Sequence, residues 1–426
     1  MELTILFGVF IVLLILGVPI ALSIAAASLA TVLYIGVPPV VVVQQVASGF
    51  SKVSLLAIPL FIFTGELMLR GGISERIIAF ASAGVGHIRG GLGQVSVVAS
   101  TLFGGVSGSA IADVTAVGGT MIPQMAARGY EKSYAVNVTI TAALIALLVP
   151  PSHNMILYSA AAGGGISITQ LFAAGIVPAL MMAVTVMITA YVIARRRGYA
   201  ATPFPGFAAV ARTFVAALPG LLLVAIIFVG IKAGIFTAIE SAAIAVVYAV
   251  AVTALVYRHM KWADFTHACA GAVRTAGHIL LIIGAAGAFG WLMAYLQVPA
   301  QTVALMQAIA DDHVTILLMM VLILLFLGTF MDMAPLIIIA TPIFLPVAKA
   351  FGVDPVHFGV VLILTCGIGL LTPPVGSVLF VGCAIGKISV GEAMKTIWPF
   401  YLAAVTVLLL VTLVPALSLW LPGAML

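Results

Sequence analysis

Leu148-Val149-Pro150-Pro151-Ser152-His153-Asn154 decides how this chain is read, because a second copy follows it: Leu371-Thr372-Pro373-Pro374-Val375-Gly376-Ser377. Each copy stands in the middle of a long apolar segment. A proline lacks the backbone donor and its ring collides with the preceding turn, so two in succession break a helix. In lipid a broken helix strands amides and carbonyls, and such backbone persists only where protein buries it or where it lines a polar cavity. Paired breaks at matching places in two halves of a chain point to a transporter's binding site.

The duplication extends outward from the prolines. Pro373 follows Pro150 by 223 residues, and the same offset carries Gly105 onto Gly328, Pro123 onto Pro346, Gly129 onto Gly352 and Pro151 onto Pro374. Ahead of each break lies a polar, glycine-bearing interruption. In the first half it is Gly104-Gly105-Val106-Ser107-Gly108-Ser109; in the second it is Gly328-Thr329-Phe330-Met331-Asp332. Each divides an apolar run into pieces too short to cross ~30 Å of hydrocarbon at ~1.5 Å per residue. The pattern predicts two re-entrant hairpins, Leu92–Ala127 and Val314–Phe351, and two broken helices, Tyr134–Ala162 and Phe358–Ile385.

Composition sets the class. Hydrophobic residues make up 64% and charged residues 7% of the 426 residues, against about 25% charged in a soluble globular protein. Long continuous apolar runs exclude the short alternating segments of a membrane β-barrel. The net charge of +5 reads as a cytoplasmic loop bias, not as nucleic-acid binding. Cys269, Cys366 and Cys383 are scattered in apolar context without metal-ligand spacing. The N-terminus lacks a basic region and a small-residue cleavage site, so Leu3–Tyr34 is expected to be retained membrane helix.

The chain is therefore expected to be an all-α polytopic membrane protein of two inverted-topology repeats, each with a re-entrant hairpin and a Pro-Pro-broken helix. Leu3–Tyr34 is read as one tilted or kinked helix or two short ones. Val41–Val53 is mildly amphipathic and is expected at the membrane interface. Leu55–Met68 is the next span, and Ile73–Ser82 and Gln301–Asp311 are short helices in the membrane plane. Further spans are Leu171–Ile193, Phe214–Gly230, Ala238–Tyr257, Ile279–Leu296 and Ile397–Trp420, and Pro203–Arg212 is a loop with a short surface helix.

The basic clusters Arg195-Arg196-Arg197 and Arg258-His259-Met260-Lys261 are expected at the cytoplasmic side. Counting crossings from them puts the first hairpin's mouth inside and the second's outside. One crossing in 3–34 then puts the N-terminus inside and the C-terminus outside. The segments are 1–72, N-terminal scaffold; 73–91, first arm; 92–165, first hairpin and broken helix of a transport domain; and 166–270, scaffold. After these come 271–312, a span and second arm; 313–387, second hairpin and broken helix; and 388–426, the last span.

Several stretches resemble the large membrane subunit of tripartite ATP-independent periplasmic (TRAP) transporters, within the wider ion-transporter superfamily. They are Ile58-Pro59-Leu60-Phe61, Gly65-Glu66-Leu67-Met68, Gly71-Gly72-Ile73-Ser74, Gly86-His87-Ile88-Arg89-Gly90-Gly91-Leu92, Phe103–Ala110 and Ile122-Pro123. Both Pro-Pro breaks match. So does the segment with Thr237, Glu240, Ser241, Ala242 and Ala243, although Thr237-Ala238-Ile239-Glu240 departs from the commoner Thr-Pro-Thr-Glu. The resemblance spans nearly the whole chain. It implies an elevator-type carrier in the bacterial inner membrane, not an enzyme, that couples a sodium gradient to uptake of an organic acid such as a C4-dicarboxylate or a sialic acid. It also implies two partners: a small membrane subunit of four spans, expected as a separate polypeptide, and a periplasmic substrate-binding protein. Two other readings remain open at this point. One is a stand-alone sodium–anion symporter or antiporter with no binding protein; the other is an intramembrane enzyme, for which no catalytic motif surrounds Asp113 and Asp332.

Helix breaks at mid-membrane supply carbonyls and half-helix dipoles that suit a cation. The sodium-ligand candidates are Ser107, Gly108, Ser109, Val149, Pro150 and Ser152 in the first half, and Gly328, Thr329, Asp332, Gly369, Thr372 and Gly376 in the second. Substrate candidates between the tips are Ser109, Asn154, Asp332 and Ser377. For a single glycine or serine, helix packing or back-bonding is the commoner role; the duplication of the set favours a site. Asp113 is expected to cap the descending hairpin helix, Glu240 to be a helix N-terminal charge, and His153 to be a polar core residue. No arginine is expected in the pore.

Overall fold

In the computed structural model, residues 1–310 and 312–425 are described. Their elements are helices throughout. The N-terminal part comprises α1 (Glu2–Ile15), α2 (Ile20–Tyr34), α3 (Val40–Phe50), α4 (Ala57–Arg70) and α5 (Ile73–Val85). The first hairpin is α6 (Gly91–Ser107), then α7 (Ala110–Asp113), a π turn over Val114–Gly118, and α8 (Gly119–Ala127). The first broken helix is α9 (Lys132–Ala142) with a 3₁₀ turn to Leu147, then α10 (His153–Ala161). After it come α11 (Ile168–Arg196), α12 (Phe207–Lys232), α13 (Ala238–Ala251), α14 (Trp262–Tyr295) and α15 (Val298–Gln307). The second hairpin is α16 (His313–Gly328) and α17 (Met333–Ala350), and the second broken helix is α18 (Pro355–Gly369) and α19 (Ser377–Gly386). The chain closes with α20 (Val390–Thr396), α21 (Trp398–Leu413) and α22 (Ala416–Met425).

Both expected hairpins and both breaks are present, and glycine contacts show how they are arranged. A Cβ at Gly386 would meet Val136, one at Gly382 would meet Ile140, one at Gly367 would meet Leu147, and one at Gly359 would meet Tyr158. Numbers rise along the first broken helix as they fall along the second. The two therefore lie side by side and antiparallel, which is the inverted repeat read from sequence. Each hairpin also closes on the broken helix of its own half: Gly104 sits against Ala146, and Gly328 against Gly369. The arms sit between the layers. α5 packs on α6 and α12, and α15 packs on α14 and α17.

Five elements are individually long and apolar enough to cross a membrane: Ile168–Arg196, Phe207–Lys232, Ala238–Val256, Trp262–Tyr295 and Met333–Ala350. Several others fall short because they are broken, and here the structure corrects the expectations. α1 and α2 are two helices of 14 and 15 residues that pack along each other as an antiparallel pair. The pair brings Tyr34 back toward the end at which α1 starts, whereas the crossing count assumed a single span over 3–34. α3, the helix expected at the interface, packs along α14. Gly49 lies against Ile283 and Gly284, Gly287 against the Gln45 carbonyl, and Gly271 against the Glu66 carboxylate. α3 and α4 thus form one interrupted crossing, antiparallel to α14.

The second arm runs over Val298–Gln307 rather than beginning at Gln301; its expected end, Asp311, lies outside the described residues. The first arm bends 67° away from α4. No separate surface helix precedes α12, which is continuous from Phe207. The last span bends by 61° between α21 and α22, where Pro415 cannot continue the backbone ladder. α11, grouped by sequence with the scaffold segment 166–270, packs on α6, α18, α21 and α22.

Candidate binding site between the hairpin tips

The first pole is built by α6, α7 and α10. α6 ends at Ser107, and Gly108 turns the chain in the left-handed region at φ +59°. A side chain there would also place Cβ 2.6 Å from the Pro151 carbonyl oxygen, so the position requires glycine. Ser109 caps α7, its Oγ accepting from the Ala112 amide at 3.4 Å. Pro150–Pro151 is a cis peptide, and Val149 and Pro150 lie against Gly105. Asn154 Nδ2 donates to the Gly108 carbonyl at 3.4 Å and ties break to tip. Ser107 Oγ and Ser152 Oγ are both buried without a hydrogen-bond partner. Ser152 holds the N-cap position of α10, yet its side chain makes no cap bond. An unpartnered buried hydroxyl costs about 1–3 kcal/mol, so this pole offers oxygen ligands that the protein leaves unused.

The second pole has the same plan with its hydroxyls engaged. A Cβ on Gly369 would come within 2.8 Å of the Gly328 backbone, so hairpin and break touch main chain to main chain. Val375 N donates to the Thr329 carbonyl at 3.0 Å, and Thr329 Oγ1 donates to Phe326 O at 2.8 Å. Ser377 Oγ donates to Asp332 Oδ1 at 3.0 Å. Gly376 turns the chain at φ +29° into α19. Thr372 Oγ1 donates to Ile368 O at 3.1 Å, and the Tyr401 hydroxyl from α21 reaches both the Leu371 carbonyl and Thr372 Oγ1. Tyr401 is a second-pole residue that sequence alone did not mark; it lies on a span with no polar neighbour in the motif.

A cavity of about 630 Å³ lies between the poles, walled by Ser109, His153, Asn154 and Asp332. Ser377 is not part of that wall; it is directed at Asp332. The opposite wall is α14, which contributes Arg274, Thr275 and His278, and the Gly17–Ile20 turn joins α1 to α2 at the rim. Arg274 contradicts the expectation that no arginine enters the pore. The reason is local: α14 runs 34 residues from Trp262, so residues read as preceding the span at Ile279 belong to the same helix and reach the cavity. His267, Arg274 and His278 recur at seven and four residues, a single helical face, and that spacing was the available signal.

Asp113 also departs from expectation. Ser109, not Asp113, caps the descending helix. Asp113 is fully buried and accepts from Ser100 Oγ of the other hairpin arm at 2.6 Å, while its Oδ1 has no partner. Glu240 behaves as expected, closing a capping box with Thr237. His153 stands at the cavity wall and not in a sealed core.

Comparison with known proteins agrees with this architecture. Residues 7–417 match the family described as the tripartite ATP-independent periplasmic transporter, DctM component. The chain is 40% identical to the uncharacterized protein YgiK of Salmonella typhimurium over 98% of this chain and 96% of that one. It is 37% identical to the sialic acid TRAP transporter large permease protein SiaM of Vibrio cholerae, covering 89% and 88%. It is 34% identical to the C4-dicarboxylate TRAP transporter large permease protein DctM of Rhodobacter capsulatus, covering 99% of each. The Alcanivorax borkumensis YdaH transporter, described as having an unusual topology, superposes with TM-score 0.59 at 15% identity over 88% of this chain and 87% of that one. The paired hairpins, the antiparallel broken helices and the match over nearly the full length lead to one assignment: the chain belongs to the TRAP transporter family, as its DctM component, the large permease.

Proposed function

We propose that this permease takes up an organic acid across the bacterial inner membrane, driven by co-transported sodium, with the ligand delivered by a periplasmic binding protein and a small four-span subunit alongside. The observation that carries the sodium reading is the pair of buried, unpartnered hydroxyls, Ser107 and Ser152, where a hairpin tip meets a helix break. Their oxygens, with the carbonyls freed at Val149 and Pro150 and the Gly108 carbonyl that also accepts from Asn154, suit a small hard cation. The second pole offers chiefly main-chain oxygens at Gly328, Gly369 and Thr372 and the Asp332 carboxylate. Bound cations and the α7 and α10 N-termini attract an anion into the cavity between the poles. The named substrates of two relatives, a sialic acid and C4-dicarboxylates, support the reading of a carboxylate of modest size.

For movement, we take the hairpins and broken helices as one rigid body, with α11 and α21 riding on it through their packing, against a frame of α12 to α14. α5 and α15 bridge the two. The test is uptake into proteoliposomes holding this chain and its small subunit, with and without a sodium gradient and the binding protein. Uptake that needs both supports the proposal. Sodium-driven uptake with no binding protein favours a stand-alone symporter, and sodium-independent uptake overturns the coupling.

A further inference from the structure

Arg274 is the feature of the cavity that the sodium sites do not explain. It lies twelve residues into α14, about 18 Å along the helix axis at ~1.5 Å per residue. Its guanidinium makes no salt bridge and no side-chain hydrogen bond among the described residues, where the ion pairs are Arg70–Glu66 and Arg197–Glu131. It faces the same cavity as Asp332, which is held by Ser377. Arg274 is exposed on the cavity side of α14, so a cation with no acidic partner there is available to a ligand. Arginine also has the planar fork that grips a carboxylate through two parallel hydrogen bonds. The neighbours on its helix, Thr275 and His278, add donors at the same wall.

Resting on the organic-acid reading above, we infer that Arg274 is the carboxylate-recognising residue of this permease, and that it acts from the α14 side of the cavity. The acid then bridges two bodies. Its carboxylate meets Arg274, while the rest of the molecule lies against Ser109, Asn154 and Asp332 on the hairpins and the broken helix. α14 packs chiefly along α2, α3 and α4 and more lightly on α17; with α14 in the proposed frame, the carboxylate contact belongs to the frame and the cation sites belong to the mover.

Arg274→Gln and Arg274→Lys test this with two readouts. The first needs no uptake: thermal stabilisation of the purified protein in saturating sodium by succinate and by N-acetylneuraminate. The expected result is a shift in the wild-type protein with at least one acid, its loss in Arg274→Gln and a partial return in Arg274→Lys, with the three proteins alike in the absence of acid. The second is uptake, where Arg274→Gln is expected to raise KM for the acid ~10–100-fold, the range of a lost charged hydrogen bond, and to leave half-saturating sodium unchanged. Equal stabilisation of the wild type and Arg274→Gln, or no stabilisation of the wild type by either acid, overturns the assignment. Sodium-independent uptake by the wild type together with a defect in Arg274→Gln overturns the coupling reading and upholds Arg274.

Discussion

Ser107 and Ser152 are among the commonest residue types, and what sets them apart is that each ends or begins a helix with its hydroxyl buried and unused. If they ligate sodium, Ser107→Ala and Ser152→Ala each raise half-saturating sodium by ~10-fold or more, the effect of losing one charged contact. Thr372→Ala is expected to do less, because Thr372 Oγ1 is already bound to Ile368 O and Tyr401. Sodium titrations of uptake on the three variants check the order; an equal effect at Thr372 would contradict the difference between the poles. The sequence marked these positions through duplication, since both poles fall at the same offset. It did not mark Arg274. A window placed on apolar residues starts the span at Ile279, and nothing in composition says that the polar stripe before it faces a cavity instead of water.

At the scale of elements, contacts between glycines and backbone hold the poles together. Gly369→Ala would push a methyl into the Gly328 main chain at 2.8 Å, and overpacking of this kind costs about 1–3 kcal/mol. The expected result is a lower thermal midpoint and weaker uptake, whereas Gly277→Ala, where no atom lies within 4 Å, is expected to behave as wild type. Lys52 makes a different cross-element contact: its Nζ donates to the Ala160 carbonyl at 2.9 Å, joining the break between α3 and α4 to the C-terminal end of α10. The ammonium there complements the negative end of the helix dipole. On the moving-body reading this bond must break during each cycle. Lys52→Met is therefore expected to shift the balance between the two conformations, read as a changed rate of cysteine labelling on α10.

Hairpins and broken helices were legible as elements because prolines and glycines punctuate them. α3 was not, because Gln44, Gln45 and Ser48 give it the look of a surface helix. Its packing depends on Gly49, Gly284 and Gly287, residues that meet only after folding.

For the whole molecule, the antiparallel seam from Val136–Gly386 to Tyr158–Gly359 packs the broken helices of the two halves together, and on the proposed mechanism they move as one body. A disulfide introduced within that seam is expected to leave uptake intact, while one that ties the hairpin block to Phe214–Tyr257 is expected to abolish it reversibly; uptake surviving the second lock would exclude a moving body. The inverted architecture was visible from the 223-residue offset and the basic clusters. The side on which the chain begins was not, since 3–34 reads equally as one long helix or as the packed pair it forms. The most direct measurement of the central claim is a pair of high-resolution density maps, one in sodium and one in potassium. The account predicts a density peak within coordination distance of Ser107 Oγ and Ser152 Oγ in sodium that is lost in potassium. Identical maps at this pole, with both hydroxyls turned to protein partners, would contradict it.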